Sequence, residues 1–411
     1  MQGRDGGPMI DLLKTQYWSF ENLRDLQTER MRYIVRYAYN NIKGYNELYN
    51  KYGISIDSIS ELEDLERLPV VTRADLQEYD KWINKEQVFT NMRTGGSTGE
   101  PLIYHECIEA KEMRAQKHNR GWLWSGYNQS TDRRAIVCSA RGSTGKGSQI
   151  LNIDGGVEKK DIKGVLDKIK DFDPVQIRAY VSTALILARW ITKNNYYIEI
   201  PSINLIAEQL YPEDRITIEE AFLGDVFEEY VCCDGGSSAW DCENKSGMHE
   251  TMERAIIEND KDGNMIVTDL WNKASPFIRY INGDKIKRLD KPCSCGRQLP
   301  LIRVQGRDND IIKLPSGSYS PSFILHHISH AKTSENKFLD YKAFQIIQED
   351  EESLIVNITK GAGYTELDEE TLLDVVYNIC KTAFIKINYV DSLEKSISGK
   401  LKFIINKVKN D

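Results

Sequence analysis

The chain has 411 residues, of which 40% are hydrophobic and 28% charged, enough apolar material for two or three packed domains and too much for a disordered chain. Its 54 Lys and Arg against 62 Asp and Glu give a formal charge of -8, which argues against non-specific nucleic-acid binding. No apolar run approaches the ~20 residues of a membrane span, and the start MQGRDGGPMIDLLK lacks the features of a secretory signal, so a cytoplasmic protein is expected.

The first segment, ENLRDLQTERMRYIVRYAYNNIKGYNELYNKYG, predicts a helix. Leu23, Leu26, Met31, Ile34, Val35 and Ala38 recur at spacings near three and four, and Gly53 is a natural stop. SISELEDLERLPVVTRADLQEY predicts two short helical pieces broken at Pro69, the second opened by Thr72 with Asp75 as its capping acid. From about Val88 onward, short apolar runs alternate with amphipathic helices: RRAIVCSA, GVLDKIKDF, PVQIRAY, TALILARWITKN, SINLIAE. That alternation implies parallel strands and an α/β layer. Strand signals dominate from Asp225 to Pro300, as in MIVTDL and PFIRYI. After GRDND at 306–310 the pattern resets to KAFQIIQ, ESLIVNIT, the helix ELDEETLLDVVYNIC, FIKINYV and KLKFIINKV, a small α+β unit. The expected division is therefore 1–306 and 307–411.

Five local signals bear on chemistry. Arg93-Thr94-Gly95-Gly96-Ser97-Thr98-Gly99-Glu100-Pro101 has the composition of a loop whose backbone N–H groups curl around an anion, though a plain hairpin turn has it too. It is not a Walker loop, because no Lys-Ser/Thr pair follows the last glycine. Arg141 to Gly147 mimics a phosphate loop with the wrong glycine spacing and reads better as a surface loop. Tyr230-Val231-Cys232-Cys233-Asp234-Gly235-Gly236 sets a carboxylate beside glycines at a strand end, where it can hold magnesium or simply sit in a turn. Arg279-Tyr280-Ile281-Asn282-Gly283-Asp284 runs a strand into an Asn-Gly-Asp turn, and Asp284 there suits either a ribose diol or a plain hairpin. Ser398-Gly399-Lys400 presents a lysine that can reach a carboxylate or phosphate, or is one surface lysine among many.

The cysteines add a metal question. Cys242-x6-His249 and Cys293-x-Cys295 supply three thiolates and one imidazole, the number and softness of a closed, structural tetrahedral zinc site. The alternative is buried free thiols that merely pack.

Taken in order, these motifs resemble the adenylate-forming enzymes, and within them the phenylacetate-CoA ligases and their capsule-biosynthesis relatives. The likeness runs from NNIKGYNELYNKYGI and SISELEDLERLPVVTRADL through RTGGSTGEPL, YVCCD, TDL, RYINGD, CSCGR and GRDNDIIK to SGKLK, nearly the whole chain. It implies an α/β fold in which a large N-terminal adenylate-forming domain of layered sheets and helices is hinged to a small, mobile α+β C-terminal domain.

The resemblance also assigns residues. It implies that Thr94, Gly95, Gly96, Ser97, Thr98 and Gly99 embrace the ATP β- and γ-phosphates, and that Tyr230 stacks near the adenine. Asp284 and Arg307 would bind the ribose, and Lys400 would bridge the acyl carboxylate and α-phosphate. Asp234 stands where the family has glutamate, so it either holds Mg2+ with a shorter reach or turns to the substrate. Asp308 to Asp310 match the hinge, with Asn309 where a charged residue is commoner. Cys242, His249, Cys293 and Cys295 match a zinc site carried by relatives. Arg141 to Gly147 and Ile206 to Leu210 border the acyl pocket by analogy, with His118, Arg120, Trp122 and Trp124 as further candidates.

The implied activity is AMP-forming ligation: a small carboxylic acid and ATP give an acyl-adenylate, passed to coenzyme A. An amine acceptor, such as an amino sugar or amino acid, is the alternative. A catalytically silent, zinc-stapled binding protein is the reading of a different class, and only Asp234 favours it. The expected partners are these small molecules, with no nucleic acid, in a monomer or homodimer.

Overall fold

The computed structural model describes residues 9–93, 102–138, 148–154, 157, 161–307, 312–315, 317–319, 324, 327–328, 331–380, 384–393 and 404–408. Thr94 to Gly99, Arg141 to Gly147, Asp308 to Asp310 and Lys400 lie outside these residues, as does the side chain of Arg307. The chain forms two compact units, each from two pieces: Met1–Asp132 with Phe227–Gln305, and Arg133–Val226 with Gly306–Asp411.

The first unit begins with helices α1 (Leu12–Thr15), α2 (Phe20–Asn41) and α3 (Lys43–Lys51). Ser19 caps α2 by accepting from the Asn22 N–H. The apolar period predicts one helix to Gly53, but the chain breaks at Ile42, whose backbone is extended (φ -119°, ψ 111°). The break seats Gly44 against the Trp82 indole, where any Cβ would lie 2.6 Å from the ring. Polar residues on the inner face of α2 serve backbone carbonyls beyond it: Gln27 donates to Met252 and Ala255, and Arg30 to Leu270. The pieces around Pro69 are 3-10 turns, Leu62–Arg67 and Asp75–Gln77, and the Thr72 hydroxyl bonds the Asp75 carboxylate at 2.6 Å as the sequence implied.

Strands β1 (Thr90–Arg93) and β2 (Ile103–Glu106) pair antiparallel, and α4 (Ile108–Trp124) follows directly. Helix α4 lies close on the sheet because Gly121 faces the Trp240 indole, leaving no room for a Cβ.

The second unit carries a parallel sheet, as the strand–helix alternation predicts. Strands β3 (Arg134–Cys138), β4 (Ile150–Asp154), β5 (Gln176–Tyr180) and β6 (Ser202–Ile206) run in the order β4-β3-β5-β6. Helices α5 (Ile162–Phe172), α6 (Val181–Lys193) and α7 (Pro212–Phe222) cover it with Leu166, Ile169, Leu187, Ile191, Ile218 and Phe222, all buried against Ile177 and Ile203. Strands β3, β5 and β6 are buried on both faces; the face under the helices is apolar, whereas Gln176, Arg178, Ser202 and Asn204 are buried on the other.

The sheet of the first unit is mainly antiparallel and holds β7 (Asp225–Val231), β8 (Ser238–Trp240), β9 (Met248–Glu250), β10 (Ala255–Asn259), β11 (Asn264–Asp269), β12 (Tyr280–Leu289) and β13 (Leu301–Arg307), ordered β10-β11-β12-β13-β9-β8-β7. Asn282-Gly283-Asp284 is not the strand-ending turn expected from its sequence. β12 runs through it as a ten-residue strand and bulges there: Asn264 faces Lys285 while Ile266 faces Ile281. Gly283 takes φ +83°, the conformation glycine adopts without steric cost, and the bulge absorbs what would otherwise be a hairpin.

The C-terminal piece of the second unit is a four-stranded sheet. Tyr341–Gln348 and Ser353–Lys360 pair antiparallel, with Phe384–Tyr389 and Ile404–Asn406 added in parallel at the edges. The helix Glu366–Cys380 buries Leu372, Val376 and Cys380 in the same core as Phe344, Ile346 and Val356. Among the described residues, no helix is long and apolar enough to cross a membrane.

Candidate active site and metal centre

Two sites take shape in the first unit. The first is built on the end of β7 and on β12. The Tyr230 phenol donates to Asp284 Oδ2 at 2.7 Å, while the Asn282 amide donates to the Tyr230 oxygen at 3.2 Å. Asn282 Oδ1 also accepts from the Asp284 N–H at 2.9 Å, so the bulge fixes the carboxylate from below. Burial and the neighbouring Asp284 charge push the Tyr230 phenol well above its ordinary value, so it stays a donor.

Four residues on, Asp234 is buried in a turn. Its Oδ2 accepts from the Tyr280 hydroxyl at 3.1 Å and its Oδ1 from the Cys232 thiol at 3.2 Å. Gly235 and Gly236 follow at φ +92° and +73°. A Cβ on Gly235 would lie 2.2 Å from Val267, and one on Gly236 would lie 3.0 Å from both Arg254 and Asp269. This explains two consecutive glycines: the turn needs their backbone conformation and has no space for side chains.

Lys117, on α4, donates to the Gly236 carbonyl at 3.0 Å from a fully buried position. Burial, reinforced by Arg254, lowers its ammonium to about 8. Sequence reasoning gives no role to Lys117, Tyr280 or Asn282. Tyr280 and Asn282 lie inside a motif already singled out, whereas nothing in the sequence separates Lys117 from other lysines.

The acyl-pocket candidates on α4 divide. His118 donates from Nδ1 to the Arg114 carbonyl at 2.7 Å and lies 3.8 Å from Glu229, to which Trp122 donates at 3.2 Å. Arg120 is instead a structural residue, paired with Glu253 at 2.7 Å where both are almost fully buried. Trp124 points away to bond Gln16 at 2.8 Å. In the second unit, Glu208 caps α6 by accepting from the Ser182 N–H at 2.7 Å.

The second site gathers Cys242, His249, Cys293 and Cys295, whose ligand atoms all lie within 4.8 Å of one another. Cys242 Sγ is 3.5 Å from Cys293 Sγ, and Cys295 Sγ is 3.3 Å from His249 Nε2. A tetrahedral zinc site needs S···S edges of about 3.8 Å and S···N edges of about 3.6 Å, so the donor set fits with small adjustments. His249 Nδ1 donates to the Leu299 carbonyl at 2.9 Å, which turns the Nε2 lone pair inward, and burial lowers the imidazole so that it is neutral. The Asn244 N–H points at Cys242 Sγ at 3.4 Å, a second-layer donor suited to a thiolate.

The CapK C-terminal domain family matches residues 323–407. Protein CapK of Staphylococcus aureus is 23% identical over 415 residues, covering 94% of this chain and 90% of its own length. Phenylacetate-coenzyme A ligase of Thermus thermophilus is 24% identical over 328 residues, covering 71% and 72%. Among solved structures, 2-hydroxyisobutyryl-CoA ligase in the postadenylation state with 2-HIB-AMP superposes with a TM-score of 0.75 at 17% identity, over 96% of this chain and 92% of that one. The amide bond synthetase McbA from Marinactinospora thermotolerans gives 0.51 at 14% identity, over 84% and 76%. The chain is thus similar in sequence to CapK and to phenylacetate-CoA ligases, and it shares the fold of 2-hydroxyisobutyryl-CoA ligase.

Proposed function

We propose that the protein is an ATP-dependent, AMP-forming ligase that activates a small carboxylic acid and transfers the acyl group to coenzyme A. The observation that carries this reading is the Tyr230–Asp284 pair: a buried carboxylate, fixed by a bulge and a phenol, with the chemistry to accept from a ribose diol. A carboxylate is a poor electrophile. In the first step its oxygen bonds to the α-phosphorus of ATP as the bond to pyrophosphate breaks; in the second, the thiol sulfur bonds to the acyl carbon, AMP leaves, and the thiol proton goes to solvent.

In this reading Thr94 to Gly99 hold the β- and γ-phosphates, Arg307 joins Asp284 on the ribose, and Lys400 bridges carboxylate and α-phosphate. Residues 307–411 rotate as a mobile domain about Asp308 to Asp310. Catalysis is then positioning and charge stabilisation. Magnesium, when bound, neutralises the polyphosphate. Both Asp234 oxygens already accept hydrogen bonds, which favours a role in shaping the turn and facing the substrate over direct metal ligation. Zinc at Cys242, His249, Cys293 and Cys295 would fill a closed, structural site.

An amine acceptor is the second reading, favoured by the fold shared with an amide bond synthetase. Incubation with ATP, an acid panel and either coenzyme A or hydroxylamine separates the two, with thioester formation expected. Lys400→Ala is expected to abolish acid-dependent pyrophosphate exchange while still consuming a pre-formed acyl-adenylate. Full exchange by that variant would remove Lys400 from the scheme.

A further inference from the structure

Among the described residues, the charges around the Cys233–Gly236 turn are paired with two exceptions, Asp234 and Lys117. Asp269 takes both oxygens to Arg254, each at 2.7 Å, and Glu106 pairs with Arg114 at 2.9 Å. Asp234 is held by two neutral donors, Tyr280 and Cys232. Lys117 lies among these groups, with Arg254, Cys233, Asp269 and Glu106 as the charges that act on it. Every carboxylate near it is already engaged, and its ammonium has a single acceptor among the described residues, the Gly236 carbonyl. Two of its three N–H donors are left over.

Tyr104 adds a second spare donor. It stands on β2, 3% exposed, with its ring packed edge-on to Phe277 at 5.4 Å, and its buried hydroxyl has no hydrogen-bond partner among the described residues. Phe277 in turn packs 5.1 Å from the Tyr280 ring, whose hydroxyl donates to Asp234, so Tyr104 stands beside the same turn. Cys233 is the one cysteine of the eight that is exposed as a residue, which brings solvent to this turn, while burial of its thiol raises that group above its ordinary value and makes its alkylation slow.

A buried ammonium with one acceptor and a buried hydroxyl with none both weaken a fold. Their coexistence beside an accessible turn calls for a ligand that fills them.

We propose that Tyr104 and Lys117 together bind an oxyanion of the ligand over the Cys233–Gly236 turn, either the carboxylate of the acid or a phosphate of the nucleotide. The proposal rests on the adenylating-ligase reading for the identity of that ligand. It adds two binding residues outside every motif that the sequence displays.

Cys233 supplies the readout. Alkylation of this thiol by iodoacetamide is followed in wild type, Tyr104→Phe and Lys117→Met, with phenylacetate, AMP or neither present. Wild type is expected to be protected at least fivefold by one of the two probes, with protection lost in both variants. Protection by phenylacetate assigns the subsite to the carboxylate, and protection by AMP assigns it to the phosphate. Melting midpoints of the variants should equal or exceed that of wild type, as removal of an unfilled buried donor predicts, while pyrophosphate exchange falls tenfold or more. Lys117→Arg should keep more exchange than Lys117→Met, because it keeps the charge. Protection retained in both variants, or given by neither probe, overturns the proposal. Absence of exchange with any acid in wild type, alongside protection that depends on Lys117, would sink the ligase reading and leave the oxyanion site standing.

Discussion

The Tyr230 phenol and the Asp284 carboxylate are joined by a 2.7 Å hydrogen bond across two strands that the chain separates by more than fifty positions. A hydrogen bond to a charged group contributes about 1.5–3 kcal/mol. Tyr230→Phe should therefore raise the KM for ATP by about tenfold or more while the KM for the acid changes little. Equal shifts in both constants would detach Asp284 from the nucleotide.

The cysteine–histidine cluster makes a compositional prediction. Elemental analysis should find one equivalent of zinc per chain, and Cys293→Ser or His249→Ala should lose it. The loss should lower the melting midpoint, because binding free energy at such a site is folding free energy. A strong chelator should reproduce the shift in wild type and leave the variants unchanged.

Arg120 and Glu253 form a buried pair, with Thr15 donating to the same carboxylate at 2.7 Å. Removing one partner strands the other charge, so Arg120→Ala should cost about 3–5 kcal/mol in urea unfolding. Arg120→Met combined with Glu253→Met should recover most of that. The preference among acids should be the same in all of these variants, since Arg120 belongs to the core.

Lys117 gives stability an unusual pH dependence. Its folded pKa, about 8, lies below the ordinary lysine value because burial, followed by Arg254, disfavours the ammonium; Cys233, Asp269 and Glu106 oppose that effect. Between about 8 and 10.4 the unfolded chain holds the proton that the folded one has released. Wild type should therefore gain stability relative to Lys117→Met as pH rises through this window, and show no relative change below it. A difference that is flat, or of opposite sign, between pH 8 and 10 would show that the ammonium is not desolvated.

Much of the α/β layer could be read from the sequence, because the short runs AIVC, QIRAY and SINLI each supply an apolar face and the helices between them keep a clear period. The cysteine–histidine cluster was also legible, since three thiols and one imidazole have the number and softness of a closed metal site. Local pattern failed where a distant contact overrides it. Ile42 breaks a periodic helix so that Gly44 can meet Trp82, and Asn282-Gly283-Asp284 stays in a strand because β11 pairs on both sides of it. Lys117 was invisible for a related reason: burial of a lysine depends on Gly236 and Arg254, more than a hundred residues away, and leaves no mark on its own neighbourhood.

The bulge in β12 has an evolutionary corollary. Four steps along β12, from Ile281 to Lys285, are matched by two along β11, from Ile266 to Asn264, so the excess is an even number. Side chains of a strand alternate between faces, so an even excess leaves Ile286 on the same buried side as Tyr280. Deleting two residues there would excise the acid yet keep the sheet in phase, whereas deleting one would turn the remainder of the strand inside out. On the proposed reading, a six-base deletion would remove the nucleotide contact while leaving the rest of the strand in phase, a short route from a ligase to an inert relative.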